Sequence, residues 1–147
     1  MKKFLVVIGL LILMAQLIRP ARNQGVSGGP KSFEKCVAVP GPVLSVLKRA
    51  CYDCHSNRTT YPWYANVQPV GWWLDHHVKE GKEELNFDEF AAYDPDKSRH
   101  KLQESADVIK EGEMPLSSYL LIHKGAKLSD ADTATVLAWM RQYSPER

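Results

Sequence analysis

Apolar positions in this chain occur first as one long run and then as stripes at helical spacing. The run covers residues 4–18 and follows Met1-Lys2-Lys3. Beyond it, Pro42 stands at a helix start, and Val43, Val46, Leu47, Ala50 and Cys51 share one face of a helix. A second helix starts near Pro69, where Val70, Trp73, Leu74, His77 and Val78 fall at i, i+3, i+4, i+7 and i+8. That spacing turns His77 inward and puts His76 on the other side. Asn86 with Glu89 forms a capping pair for a short helix over 87–92. Asp94-Pro95 opens a long helix with Leu102, Ala106 and Ile109 as its stripe, ending by Gly112. A short helix over 117–124 is closed by Gly125. Ser129 with Asp132 caps a last helix, where Thr133, Val136, Leu137 and Met140 face the core and Pro145 marks the end. No segment alternates as a strand does, so the pattern predicts a small all-α domain of about five helices.

Composition adds limits to this picture. The 147 residues, 44% of them hydrophobic and 24% charged, provide for one ordinary core. Three cysteines are too few for a disulfide scaffold. The formal charge of +2 divides unevenly: Lys2, Lys3, Arg19 and Arg22 carry the positive excess, leaving 15 basic against 17 acidic residues from Asn23 onward. A domain of net −2 lacks the clustered Lys and Arg of a nucleic-acid groove. A short positive segment before an apolar one is the pattern of an export signal. Fifteen helical residues span roughly 22 Å, short of the ~30 Å hydrocarbon core. No small-x-small cleavage pair follows Ile18, where Arg19-Pro20-Ala21-Arg22 stands, and no cysteine follows for lipidation. The expectation is an uncleaved inner-membrane anchor, snorkelled through Lys2, Lys3 and Arg19, with the rest in the periplasm; cleavage near Ser27 is the alternative. Gly, Ser and Pro in NQGVSGGPK indicate a flexible tether. The chain thus divides into a signal or anchor (1–22), a tether (23–38) and a domain (39–147).

The chemistry centres on Cys51-Tyr52-Asp53-Cys54-His55. In C-x-x-C-H, two thiols three positions apart reach the vinyl groups of one haem, and the adjacent imidazole points at its iron. A thioredoxin-type redox pair needs a βαβ context that the pattern lacks. A zinc site of Cys36, Cys51, Cys54 and one His, or a structural disulfide, are the other readings; a third cysteine at irregular spacing matches zinc poorly. With covalent haem, Cys36 is left over as a buried inert thiol or an intermolecular partner, burial being the expected state.

An iron held by His55 has a sixth position. Met114 in Gly112-Glu113-Met114-Pro115 supplies a thioether in a loop between helices, which favours reduced iron. A core gap-filling role is the plain alternative for Met114. His77 is the rival ligand, and bis-His ligation would lower the potential; otherwise it is a packed His bonded to a carbonyl or a propionate. His76 and His100 fall on polar faces, and His123 complements a helix end. The aromatic cluster directly after the motif includes Trp63 and Trp73 as candidate haem walls, and Arg58 is a candidate propionate partner. Ordinary packing and a solvated Arg explain these residues as well.

The short apolar N-terminus, CYDCHSNRTTYPWYANVQPVGWW, HHVKEGKEELNFDEF, GEMP and the closing LSDADTATVLAWM together resemble the haem-binding domain family of small bacterial, Bacteroidota-type c-type cytochromes. The resemblance covers about residues 39–143. It implies Cys51 and Cys54 as thioether attachment points, His55 as proximal ligand and Met114 as distal ligand. The expected protein is a periplasmic monohaem cytochrome c that passes single electrons between membrane-associated donor and acceptor proteins, a carrier rather than a catalyst. A haem peroxidase or a gas or redox sensor with a labile or His distal ligand is the enzyme-class alternative.

Overall fold

Eight α-helices and three short 3-10 helices make up the computed structural model, which describes residues 1–143. The helices are α1 (Lys2–Ala15), α2 (Phe33–Cys36), α3 (Gly41–Ala50), α4 (Tyr52–His55), α5 (Val70–Glu84), α6 (Pro95–Lys110), α7 (Ser117–Leu120) and α8 (Asp130–Tyr143), with 3-10 helices at Trp63–Asn66, Phe87–Ala92 and Lys124–Ala126. Among the described residues no strand forms, and extended backbone meets only in an isolated bridge between Gln24 and Arg58. Pro145, expected at the end of the last helix, lies outside the described residues.

Local chemistry sets the helix ends. Pro42 occupies the first turn of α3, where its missing N–H costs nothing. The Asp94 carboxylate accepts the Lys97 N–H at 2.9 Å to start α6, and Gly112 turns the chain after it with φ +75°, a backbone region open to glycine. At α8 the Ser129 hydroxyl accepts the Asp132 N–H at 3.1 Å while Asp132 Oδ2 accepts the Ser129 N–H at 3.0 Å, a reciprocal capping box. Arg49 of α3 adds an ion pair to Asp132 at 3.0 Å.

The core forms where α3, α6 and α8 meet the 3-10 helix Phe87–Ala92. Val43, Leu47, Leu102, Val136 and Met140 fill it from the expected stripes, with Trp139 beside them. Phe33 is its centre: fully buried, it lies edge-on to Phe90 at 4.7 Å and to Trp139 at 5.7 Å. Burying one such ring contributes about 2–3 kcal/mol.

Several expectations are corrected. Residues 23–38 are not a loose tether: Phe33 is core, Asn23 Nδ2 donates to the Ser56 carbonyl at 2.9 Å, and Ser27 and Gly28 bond Asp88. Polar composition suggested mobility, but one buried aromatic and a few specific acceptors fix the segment. Cys36 is exposed rather than buried, because α2 turns Phe33 and not its last residue inward. The inward face of α5 is Gly71, Leu74 and Val78, while Val70 and Trp73 are exposed. Gly71 permits that rotation: a Cβ there would lie 2.5 Å from the Ala65 carbonyl oxygen. The helix expected over 117–124 shortens to α7. At Asn86 the side chain accepts the Asp88 N–H at 3.0 Å, while Glu89 accepts from Asn57 at 3.2 Å rather than closing a capping box. Finally, α1 is apolar and exposed, but no described helix is long and apolar enough to cross a membrane; the 14-residue α1 ends at Ala15, before the apolar run does.

Candidate functional site

The C-x-x-C-H segment follows α3 without a loop. Cys51 ends α3, and its carbonyl accepts the N–H groups of Cys54 and His55 at 3.2 and 3.0 Å, which winds α4; Cys51, Cys54 and His55 line one cavity. Gly81 lets α5 lie directly over this turn, since a Cβ there would stand 3.0 Å from the Cys54 carbonyl oxygen and 3.2 Å from the Cys54 Cβ. On the far side, Tyr52 stacks on Phe87 at 4.7 Å and donates its hydroxyl to Glu34 at 2.8 Å.

His55 is oriented by the chain's own backbone. Its Nδ1 lies 3.1 Å from the Leu85 carbonyl; a carbonyl only accepts, so Nδ1 carries the proton and Nε2 keeps a lone pair. Burial holds the imidazole below the usual His range, with the Leu85 bond opposing in part. This is the arrangement of a metal-ligating His, whose second nitrogen is fixed by a donor bond to the surrounding shell. Burial foremost, with Cys54 nearby, pushes the Cys51 thiol up to about 12, and burial with Asp53 pushes Cys54 up to about 11. Thiols so protonated are poor redox nucleophiles, which counts against the thioredoxin-type reading.

Two cavities flank His55, of about 180 and 420 Å³, and Cys51, His55, Met114 and Pro115 line both. The smaller is walled by Leu47, Leu85, Phe87, Val108 and Ile109. The larger carries polar groups, among them His77, Glu80, Glu84 and Tyr119. Met114 reaches its place through the turn at the end of α6, where the Val108 carbonyl accepts the N–H groups of Glu113 and Met114 at 2.9 and 3.2 Å. His77 lines the larger cavity beside Glu80, 3.4 Å from its Nδ1. The structure therefore brings Cys51, Cys54, His55, Met114 and His77 to one place.

Trp63, Trp73 and Arg58 do not join them. Trp63 is 79% exposed, Trp73 is 42% exposed and meets His77 only edge-on at 4.4 Å, and Arg58 lies exposed beyond its bridge to Gln24. None of the three lines either cavity. The walls come instead in part from α6, where Ile109 is on the stripe as general core and Val108 is not on it. His76 pairs with Glu80, His100 is exposed on α6, and His123 stacks on Tyr119 at 4.0 Å. The zinc reading fails on arrangement: Cys36 sits exposed on α2, and among the described residues no three His, Cys, Asp or Glu side chains converge as a metal site.

Sequence reasoning missed three supporting groups. Tyr119 lines the larger cavity and donates to Asp53 at 2.9 Å, tying the segment after Met114 to the C-x-x-C-H turn. Lys101, with a side chain only 13% exposed, bridges Glu84 and Glu104 at 3.1 and 3.0 Å on the wall of the smaller cavity. Asp88 is buried and accepts from Ser27, Gly28 and Asn57 at 3.0, 2.8 and 2.7 Å, behind the motif.

The family profile described as haem-binding domain matches residues 10–142. The chain belongs to the haem-binding domain family. It is also similar to a protein named cytochrome c peroxidase Ccp from Escherichia coli (strain K12), 27% identical over 108 residues, which cover 71% of this chain and 23% of that protein. The chain thus spans under a quarter of that relative's length. No solved structure matches. The residues present fit the family's group: a half-buried imidazole with Nδ1 bonded to a carbonyl, two thiols beside it, an apolar wall and a thioether lining the same cavities. His55 would hold the iron, and Val108, Ile109 and Phe87 would cover the macrocycle.

Proposed function

We propose that this haem-binding domain protein is a monohaem c-type cytochrome that carries single electrons, with haem attached at Cys51 and Cys54 and iron held by His55 and Met114. The observation that supports it most is the shared position of His55, with Nε2 left free by the Leu85 bond, and Met114 on the same two cavities. Bound haem supplies an iron that cycles between ferric and ferrous states, and a thioether ligand raises its potential. The chain's residues do the rest. Leu85 keeps the His55 tautomer, Val108 and Ile109 of α6 give the cavity an apolar wall, and the Tyr119–Asp53 bond steadies the segment that presents Met114.

Lys2-Lys3 and the apolar residues 4–18 support export, so the proposed location is the periplasm, with this segment holding the chain at the inner membrane. The net −2 of the remainder favours donor and acceptor proteins with complementary positive patches.

The test is optical and magnetic circular dichroism spectroscopy of the haem-loaded chain beside Met114→Ala and His77→Ala. Low-spin iron that becomes high-spin only in Met114→Ala supports His/Met ligation. Conversion only in His77→Ala transfers the distal role to His77, and no conversion in either removes both. A second reading, peroxidase or gas sensor, is favoured by the peroxidase relative and by the polar side of the larger cavity, where His77 and Tyr119 stand. Tight carbon monoxide binding by the untreated ferrous protein would select it.

A further inference from the structure

Three hydrogen bonds fix where the N-terminal segment meets the domain. Gln16 Nε2 donates to the Gln68 carbonyl at 3.2 Å, Gln16 Oε1 accepts the Gln68 N–H at 2.9 Å, and Trp72 Nε1 donates to the Ile18 carbonyl at 2.8 Å. The meeting point is the first turn of α5 and the 3-10 helix Trp63–Asn66 packed against it. Around that point Trp63, Val67, Val70, Trp72 and Trp73 all remain exposed. Three exposed indoles within 11 residues, with two β-branched neighbours, are more than the scattered apolar residues of an ordinary surface.

We propose that this junction is a second membrane contact, which lays the domain against a phospholipid bilayer with Trp63 and Trp73 at headgroup depth. The occupant is a bilayer rather than a protein because the apolar segment itself opens onto the surface. Phe4, Leu5, Leu10, Leu11 and Leu13 of α1 are exposed and continue the same apolar character from Ile18 outward. At 14 residues α1 is not long enough to cross a membrane, and shallow attachment holds stably only when a second interaction adds to the first. Indole rings suit that role, with an apolar body and an N–H for the wet side. Arg19 and Arg22 follow directly; Arg22 is held over the Tyr61 ring at 4.5 Å and bonds Asn66 at 2.6 Å, which places positive charge beside the indoles for lipid phosphate. The aromatic cluster thereby acquires a use outside the haem cavities. This inference stands apart from the haem ligands but rests on reading residues 4–18 as a membrane segment.

The test uses the full-length haem-loaded chain with vesicles of phosphatidylcholine and phosphatidylglycerol. Flotation reports attachment, and hydroxyl-radical oxidation read by mass spectrometry reports the surface covered. An Ile8→Asp/Leu11→Asp variant supplies the unattached reference. Oxidation of Trp63 and Trp73 is expected to fall several-fold on vesicles, with His100 on α6 unchanged. Trp63→Ser/Val67→Ser/Trp73→Ser, which leaves the Trp72–Ile18 bond intact, is expected to leave vesicles about tenfold more readily while keeping the wild-type haem spectrum. Trp63→Ser alone, at the most exposed position, provides the same comparison with least effect on folding. Wild type that floats with Trp63 and Trp73 oxidised as in the reference overturns the junction surface alone. Wild type that does not float overturns both the surface and the membrane reading of residues 4–18.

Discussion

Asp88 shows how much one side chain behind the site holds together. Its buried carboxylate accepts three donors, the Ser27 hydroxyl and the N–H groups of Gly28 and Asn57, so it fastens the N-terminal segment to the residues just after His55. Hydrogen bonds to a buried charge are stronger than neutral ones, and each donor stranded by truncation carries its own desolvation cost. Asp88→Ala is expected to destabilise the haem-loaded chain by about 3 kcal/mol, read as a lower urea midpoint at unchanged slope. Asp88→Asn should fall between the two, because the amide keeps one acceptor and turns a donor towards the N–H groups. A loss in Asp88→Ala below about 1 kcal/mol would mean that the clamp is not what fixes this segment. The cysteines and histidine of C-x-x-C-H stand out in the sequence by their short fixed spacing and Met114 by its place between Gly112 and Pro115, and the structure gathers them on one cavity. The partner of His55 is not legible: it is a backbone carbonyl 30 positions away, and a carbonyl has no residue signature. Tyr119 and Asp53 are hidden for the same reason of distance, 66 positions apart and joined only by the fold.

Helices were legible wherever a stripe and a cap agreed, as in α3, α6 and α8, because each of those buries a Val, Leu or Met face and begins at Pro42, at Asp94-Pro95 or at the Ser129 box. The stripe held at α5 for Leu74 and Val78 but misled for Val70 and Trp73, which point outward while Gly71 points in. Hydrophobic periodicity assigns Gly71 and Gly81 no weight, yet their missing side chains set how closely α5 approaches the Trp63–Asn66 turn and α4. Gly71→Ala makes the contrast measurable. The added methyl would meet the Ala65 carbonyl at 2.5 Å and both Gln68 side-chain polar atoms within 2.9 Å, and overpacking of this kind costs about 1–3 kcal/mol. A backbone oxygen 2.5 Å away cannot turn aside as a flexible side chain can, so the upper part of that range, about 2–3 kcal/mol, applies; less the roughly 1 kcal/mol that alanine gains over glycine in a helix, a net loss of about 1–2 kcal/mol is expected in chemical unfolding. Gly41→Ala in the first turn of α3, where the new methyl meets open space, serves as the comparison and should not destabilise. A neutral Gly71→Ala would mean that α5 shifts freely and that its contact with the Trp63–Asn66 turn is not set by glycine.

Across the whole molecule charge is uneven, and at the site two phenols resist ionisation. The positive excess is confined to the N-terminal segment and the rest is mildly acidic. Two tyrosines, one within the motif and one facing it, each donate to a carboxylate: Tyr52 to Glu34 and Tyr119 to Asp53. Burial first, and then these carboxylates, raise both phenols above the ordinary value of 10.0. The sign of the consequence follows from proton counting. Above about 10 the unfolded chain gives up both phenolic protons while the folded one keeps them, so the folded state binds more protons and stability falls as pH rises. The contribution is fully present below that value and is lost progressively as pH climbs towards the folded values, at a slope of at most about 1.4 kcal/mol per pH unit for each tyrosine. Urea midpoints of the haem-loaded chain are therefore expected to be flat with respect to these groups from pH 8 to about 10 and to decline beyond. Tyr119→Phe should flatten part of the decline, and a Tyr52→Phe/Tyr119→Phe pair more of it, at some cost in stability at neutral pH from the stranded carboxylates. Under the proposed His55/Met114 ligation, loss of the Tyr119–Asp53 bond should weaken the low-spin spectrum at alkaline pH in step with stability, whereas Tyr52→Phe should leave the spectrum unchanged. An alkaline decline of the same slope in the double variant would place its origin in other groups.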